Sequence, residues 1–117
     1  MNLFLFRLGA VLCFLAVALG AFGAHALKAR LQLHDLTSVW EKAVLYHFLH
    51  AIALLALSII PNLNRVPPML LITGIAFFSG SLYVMALTNV RWLGAITPIG
   101  GVCFLAGWLW LIIAPTR

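Results

Sequence analysis

Four long apolar runs dominate this chain and limit what it can fold into. A helix rises about 1.5 Å per residue, so roughly 20 apolar residues cross the hydrocarbon core of a bilayer. No water is available there to bond exposed backbone groups, and each run must therefore be a helix. We predict an all-α membrane protein, a single domain of residues 1–117 with both termini on the same side. Its four transmembrane helices are expected over residues 8–27, 43–60, 68–87 and 93–114.

The composition indicates a surface that faces lipid rather than water. The chain is 65% hydrophobic and 8% charged, whereas a soluble domain carries roughly a quarter charged residues. The formal net charge is +5, but the seven Lys and Arg residues lie near the ends of the apolar runs, where such residues anchor helices. We therefore expect the lipid bilayer as a partner and no nucleic acid. The positive charges divide between both sides, so the side that the termini face is left open.

The first run has some features of a cleaved secretory signal. Arg7 precedes it, and Ala24-His25-Ala26 resembles a cleavage site. The run is nevertheless long enough to span the bilayer, and its removal would leave three spans. We expect it to be retained as the first transmembrane helix.

The longest loop, residues 28–42, is predicted to lie at the membrane surface. Ser38 and Glu41 have the spacing of a capping box, in which Ser38 caps the second helix and Glu41 bonds back to it. The first half of the loop favours a short amphipathic stretch along the interface. Its apolar side is formed by Leu27, Leu31, Leu33 and Leu36.

Small residues are predicted to form the contacts between helices, because apolar side chains gain little by leaving lipid for one another. Such residues recur every four positions on three of the helices. We expect close packing at Ala16, Gly20, Ala24, Ala76, Gly80, Gly101 and Gly107. The same pattern also fits a self-association surface, so a homo-oligomer is left open.

The fourth helix contains Pro98, which Gly100 and Gly101 follow closely. A proline inside a helix removes one backbone hydrogen bond, and a plain kink is the favoured interpretation. In the alternative, the helix begins at Thr97 and the residues before it are not helical. Broken helices of that kind form ligand sites in transporters.

Polar side chains gather at the end of the bundle that carries the long loop. The candidate polar or ligand-binding cluster consists of His25, Glu41, Tyr46, His47, His50, Tyr83, Arg91 and Thr97. His50 is its most informative member, because it lies about 12 Å along the helix axis from Lys42 at the interface. His47 lies three residues earlier on the same face, and His25 is expected near both.

Three neighbouring histidines raise the question of a metal, haem or quinone site. A pair three residues apart is weak evidence without a further ligand. We expect each histidine to be neutral and hydrogen-bonded, with no metal and no cofactor. Cys13 and Cys103 lack the spacing of a metal or redox motif. No nucleophile is accompanied by a base and an orienting group, so an enzyme is not expected.

Four segments, in order along nearly the whole chain, resemble a family of small four-span membrane proteins. They are residues 20–25, 46–51, 78–83 and 93–101. The family contains the bacterial inner-membrane protein YgdD and human transmembrane protein 256, and is known as domain of unknown function 423. The resemblance implies a multi-pass protein of the bacterial plasma membrane, but it supplies no activity and no catalytic residue. The chain departs from the family in ending at Arg117 without an extended basic tail.

Two functions fit this sequence. The first is a non-enzymatic structural or accessory membrane bundle, either self-associated or part of a membrane complex. The alternative is a transporter, channel or small-ligand-binding protein with a polar site near His25, His47, His50 and Thr97–Gly101. The first function predicts polar side chains bonded within the bundle, and the second predicts a cavity beside the histidines.

Overall fold

The computed structural model describes the whole chain, Met1–Arg117, and its regular elements are all helices. The α-helices are α1 (Leu3–Ala24), α2 (Lys28–Leu33), α3 (Thr37–Ser58), α4 (Val66–Gly74), α5 (Gly80–Thr88) and α6 (Thr97–Ile113). A π-helical segment, Ile75–Ser79, joins α4 to α5, and a 3₁₀-helix, Arg91–Ala95, precedes α6. Four stretches are long and apolar enough to cross a membrane, namely Leu3–Ala24, Thr37–Ser58, Val66–Thr88 and Arg91–Ile113. They are called the first to fourth spans below. The predicted all-α protein with four membrane-spanning helices is confirmed.

The first span begins earlier than its apolar run, because Asn2 caps it. The side-chain oxygen of Asn2 accepts a hydrogen bond from the backbone N–H of Leu5 at 3.0 Å. Such a cap satisfies one of the free N–H groups at the start of a helix. Arg7 therefore lies inside α1, with its side chain exposed.

The second span begins at Thr37, and the predicted capping box is wrong. Leu36 is the N-cap residue, and no side chain caps the helix. Asp35 turns the chain just before it with a φ of 56°, and the buried Leu36 follows directly. Ser38 and Glu41 consequently lie within the helix and are exposed.

The long loop contains α2, which packs across one end of the bundle. Its Leu31 is buried beside Trp40 and Ala86. The Nη2 atom of Arg30 donates a hydrogen bond to the carbonyl of Leu87 at 2.6 Å. The loop is thereby attached to both α3 and α5.

Both termini lie at the opposite end, as predicted. The backbone N–H of Asn2 donates to the carbonyl of Ser58 at 2.8 Å. The backbone N–H of Arg117 donates to the carbonyl of Asn62 at 2.7 Å. The two terminal segments therefore meet the loop between the second and third spans.

The bundle is flattened rather than square. Its Cα atoms extend over 48 × 26 × 16 Å along the principal axes. The first span packs against the second, the second against the third, and the third against the fourth. The first and fourth spans form the two edges, and most of their residues remain outside the protein interior.

The contact face of α1 follows a seven-residue repeat, and this makes part of the predicted packing wrong. The residues that face α3 are Leu5, Gly9, Leu12, Ala16, Leu19 and Gly23. Spacings that alternate between four and three residues are typical of left-handed bundles. An α-helix turns about 100° per residue, so each step of four residues drifts by about 40°. Ala16 is therefore buried and Gly20 half-buried, whereas Ala24 is exposed.

The closest approaches between helices occur at glycines that the prediction omitted. A Cβ atom at Gly100 would overlap the backbone of Phe78. A Cβ atom at Gly23 would overlap the indole of Trp40. Alanine at Gly100 would require a shift of the neighbouring helix, and alanine at Gly23 would require a shift of the Trp40 indole.

The same repeat runs along α6, where one predicted contact is present and one is not. Its contact positions are Thr97, Gly100, Phe104, Gly107 and Leu111. Gly107 is buried against Leu71, as predicted. Gly101 lies one position off the face, and the nearest atom to a Cβ placed there is 4.0 Å away.

The π-helical segment explains why the predicted packing on the third span is wrong. The backbone N–H of Gly80 donates to the carbonyl of Ile75, five residues earlier. Positions five apart therefore share a face, and Gly74 and Ser79 are both buried. Ala76 is exposed, and Gly80 has no atom within 4 Å of where its Cβ would lie.

The fourth span changes helix type before Pro98 instead of kinking there. The 3₁₀-helix ends at Ala95, and α6 begins at Thr97 with Pro98 in its first turn. A proline in the first turn disrupts no helical bond, because its missing N–H would have had no partner. The favoured kink within one continuous helix is therefore wrong. The start at Thr97 is that of the alternative, but the residues before it form a 3₁₀-helix and are not irregular.

Candidate functional site

His50 forms a polar contact between α3 and α6. Its Nδ1–H donates to the carbonyl of Tyr46 at 2.7 Å, and its Nε2 accepts from the indole N–H of Trp108 at 3.0 Å. A carbonyl only accepts and an indole N–H only donates, so the ring must be neutral with its proton on Nδ1. The ring of Phe104 stacks on the imidazole, with 3.7 Å between centroids. Both ring nitrogens of this buried side chain are therefore bonded within the protein.

Tyr46 contributes its backbone to this contact more than its hydroxyl. Its side chain is partly exposed, and its ring packs on Phe78 with 4.5 Å between centroids. Its carbonyl is the acceptor for His50. The predicted role of Tyr46 as a polar side chain of a site has no supporting hydrogen bond.

His47 lies one turn earlier on α3 and is bonded less completely. Its Nδ1 is 2.8 Å from the hydroxyl of Tyr83 on α5. Its Nε2 is buried and has no hydrogen-bond partner. Tyr83 also meets Trp40 edge to face, with 4.9 Å between ring centroids. His47 thus has the one ring nitrogen among the buried histidines that lacks a good partner.

Two hydroxyl contacts join further pairs of spans. Ser79 Oγ donates to the carbonyl of Ala43 on α3 at 2.7 Å. The hydroxyls of Ser81 and Thr97 lie 2.7 Å apart and link α5 to α6. Thr97 therefore contacts a serine and not the histidines.

His25 does not join the other two histidines, and that expectation is wrong. It is the exposed residue that ends α1. Because Gly23 packs against Trp40, the end of α1 lies beside the start of α3. His25 is then about 13 Å along the helix axis from His47. No three His, Cys, Asp or Glu side chains converge on a point that could hold a metal ion.

Glu41 and Arg91 lie on the surface, apart from the buried histidines. Glu41 is exposed on the first turns of α3. Arg91 donates from Nη2 to the carbonyl of His34 at 2.9 Å and from Nε to Oδ1 of Asn89 at 3.2 Å. Arg91 thus links the start of the fourth span to the loop after α2. The predicted cluster is several separate groups.

Two tryptophans with polar roles were absent from the predicted cluster. Trp108 donates to His50, and Trp40 donates from Nε1 to the carbonyl of Leu19 at 2.9 Å. An indole N–H inside a bilayer needs an acceptor, and that requirement could have placed both residues among the candidates. The identity of each acceptor depends on how the helices are aligned, which the requirement does not specify.

One cavity is a groove at the long-loop end, between α1, α2 and the start of α3. It has a volume of about 750 Å³. A smaller cavity of about 480 Å³ lies at the end that holds the termini. Neither is lined by His47 or His50.

Comparison with known proteins identifies relatives across nearly the whole chain. A family described as "Protein of unknown function (DUF423)" matches residues 19–101. A UPF0382 membrane protein of Staphylococcus saprophyticus is 54% identical over 111 residues, which cover 91% of each chain. The UPF0382 membrane protein YwdK of Bacillus subtilis is 39% identical over 116 residues, which cover 94% of each chain. No solved structure matches.

Proposed function

The chain belongs to the DUF423 family of membrane proteins, and from this premise we propose that it is a non-catalytic bundle serving as a structural or accessory subunit of a membrane complex. The bonding of His50 carries the proposal. Both of its ring nitrogens are bonded within the chain, to Tyr46 and Trp108. A histidine bonded in this way holds α3 to α6 and has no nitrogen free for a ligand.

The outer face of α6 has an exposed apolar stripe, and this stripe supports the proposal of a partner in the membrane. Its exposed apolar residues include a stripe formed by Val102, Leu105, Leu109 and Ile112. Their spacings of three, four and three residues repeat those of the inner face of the same helix. A regular apolar stripe of this kind is suited to packing against another helix. The flattened bundle leaves this edge accessible from the lipid.

Site-specific photo-crosslinking tests the proposal. A photoreactive amino acid replaces Leu105, which is 72% exposed on α6, or Phe14, which is 74% exposed on α1. After irradiation of intact cells, we expect Leu105 to give a protein adduct of defined mass, because the stripe is the surface for a partner. Phe14 is the matched position on the opposite edge. Adducts with lipid alone at both positions would contradict an accessory role.

One observation favours the transporter or ligand-binding alternative. The Nε2 atom of His47 is buried without a good hydrogen bond, and such a nitrogen is available to a proton or small ligand. Complementation of a deletion strain distinguishes the two functions. The strain produces equal amounts of either the parent or the His47→Gln variant, and growth is compared. An accessory role predicts that growth follows the amount of assembled protein. Loss of function at the parent's abundance, with His34→Gln at a half-buried histidine of the loop as the control, would favour the alternative.

A further inference from the structure

We propose that the groove between α1, α2 and α3 binds one phospholipid whose head group contains a phosphate and a primary amine, as in phosphatidylethanolamine. The groove lies beside the packing contact between α1 and the start of α3 and shares some of its residues. Three features of the groove carry it: an apolar floor, an opening toward lipid, and one unpaired charge of each sign at the rim.

The floor of the groove is apolar and is shaped by small residues of α1. Ala16, Gly20 and Gly23 line it, with Trp40 and Phe48 from α3 as larger walls. The stretch of α1 from Ala16 to the end of the helix covers about 12 Å along the axis. A groove of that length, lined by apolar groups, accommodates the upper part of an acyl chain.

The groove opens toward the lipid. Val17, Ala21 and Leu45 line it and are exposed at the surface of the first two spans. Contact of this apolar surface with water is unfavourable, whereas contact with hydrocarbon carries no such cost. The occupant is therefore drawn from the bilayer and has an apolar chain.

The polar residues of the groove belong to α2 and the start of α3. Lys28, Gln32, Thr37 and Glu41 line its outer end. The structure shows no ion pair and no side-chain hydrogen bond for Lys28 or Glu41. An ammonium group only donates and a carboxylate only accepts, so the rim offers one site for an anion and one for a cation. Glu41 is one of two acidic residues in the chain, and at this rim its carboxylate can bind the ammonium group of a lipid.

An aminophospholipid satisfies both charges at once. Its phosphate oxygens accept hydrogen bonds from Lys28, and its ammonium group donates to Glu41. A choline head group has no N–H to donate, and a glycerol head group has no positive charge. Either of those lipids leaves Glu41 without a charged donor, so the groove selects the amine.

Native mass spectrometry of the full chain tests this inference. The purified protein is delipidated and mixed with phosphatidylethanolamine, phosphatidylcholine or phosphatidylglycerol carrying the same acyl chains. We expect one molecule of phosphatidylethanolamine to be retained about tenfold more strongly than the other two, since a charge-assisted hydrogen bond is lost in each of them. Equal retention of the three lipids would overturn the proposal.

Matched variants locate the site. Glu41→Gln should reduce phosphatidylethanolamine retention to that of phosphatidylcholine. The control is Asp35→Asn, which changes the charge equally at a residue that does not line the groove. Ala21→Phe, which fills the groove from an exposed position, should weaken retention of all three lipids. The proposal is wrong if the Glu41 and Asp35 variants behave alike, or if filling the groove changes nothing.

Discussion

Replacing Gly100 with alanine tests how closely α6 approaches the third span. A Cβ atom at this position would lie 2.7 Å from both Cα and Cβ of Phe78 and closer still to its backbone nitrogen. Carbon atoms in contact rest about 3.5–4.0 Å apart. The clash is with backbone, which cannot rotate away, so α6 must move outward by about 1 Å.

The expected loss of stability follows from this displacement. A gap of about 0.5–1 Å removes a quarter to a half of each dispersion contact. The stacking of Phe104 on His50, now at 3.7 Å, is among the contacts that would open. Overpacked sites lose about 1–3 kcal/mol. Alanine also recovers up to about 1 kcal/mol of helix propensity relative to glycine.

The neighbouring Gly101 provides a control that removes the propensity effect. A Cβ atom there has its nearest neighbour, Cδ2 of Phe78, at 4.0 Å, which is an ordinary contact. Gly101→Ala therefore gains propensity without a clash. Because the gain is common to both variants, Gly100→Ala should be less stable than Gly101→Ala by about 1–3 kcal/mol.

Unfolding in mixed micelles measures this difference. The purified variants are titrated with sodium dodecyl sulfate in a mild detergent, and loss of helix is followed by circular dichroism. We expect the midpoint of Gly100→Ala to fall below that of the parent protein and that of Gly101→Ala to rise. If Gly100→Ala unfolds at the same or a higher denaturant fraction than Gly101→Ala, the close approach to Phe78 is refuted.

Two further predictions concern hydrogen bonds between spans. Trp108→Phe should lower stability by about 0.6–1.7 kcal/mol, the range for polar contacts in membranes, because His50 loses its donor. Trp110→Phe is the control, because Trp108 and Trp110 are similarly exposed, at 43% and 42%, and Trp110 makes no side-chain hydrogen bond. Equal effects of the two substitutions in the same titration would contradict the hydrogen bond between Trp108 and His50. Ser79→Ala should lower stability by about 0.6 kcal/mol, because the buried hydroxyl bonds the carbonyl of Ala43. An unchanged midpoint would show that this bond contributes nothing.

The spans could be predicted from the sequence because the bilayer sets their length and forbids unpaired backbone. The first span shows where this reasoning stops. Hydropathy places its start near residue 8, yet α1 begins at Leu3 because Asn2 supplies a cap. A cap is a local interaction that apolar length does not detect.

The contact faces were harder to predict, because more than one spacing of small residues is present. Gly20 and Ala24 continue a four-residue pattern from Ala16, whereas Gly9 and Gly23 continue a seven-residue pattern. The seven-residue pattern wins because it keeps one face toward the neighbouring helix over the full span. On the third span no sequence pattern indicated the π-helical segment. The residues that contact neighbouring helices beyond this segment could therefore not be predicted.

The partners of the polar residues depended on helix alignment, which is a non-local property. His50 was recognised as buried from its depth in the second span. Its donor, Trp108, lies 58 residues away in sequence. That pairing depends on where Phe78 meets Gly100, a contact that no single helix specifies.

The hydrogen bonds divide the bundle into a connected part and one separable span. His50 with Trp108 joins the second span to the fourth, Ser79 joins the third to the second, and Ser81 joins the third to the fourth. The first span is attached to this triangle by the indole bond from Trp40 to the carbonyl of Leu19, by the backbone bond from Asn2 to Ser58 at its other end, and by the packing of its glycines. Apolar side chains gain little by leaving lipid for one another, so along most of its length α1 is held mainly by close packing. The groove lies on this boundary, where entry of an acyl chain breaks no hydrogen bond inside the triangle.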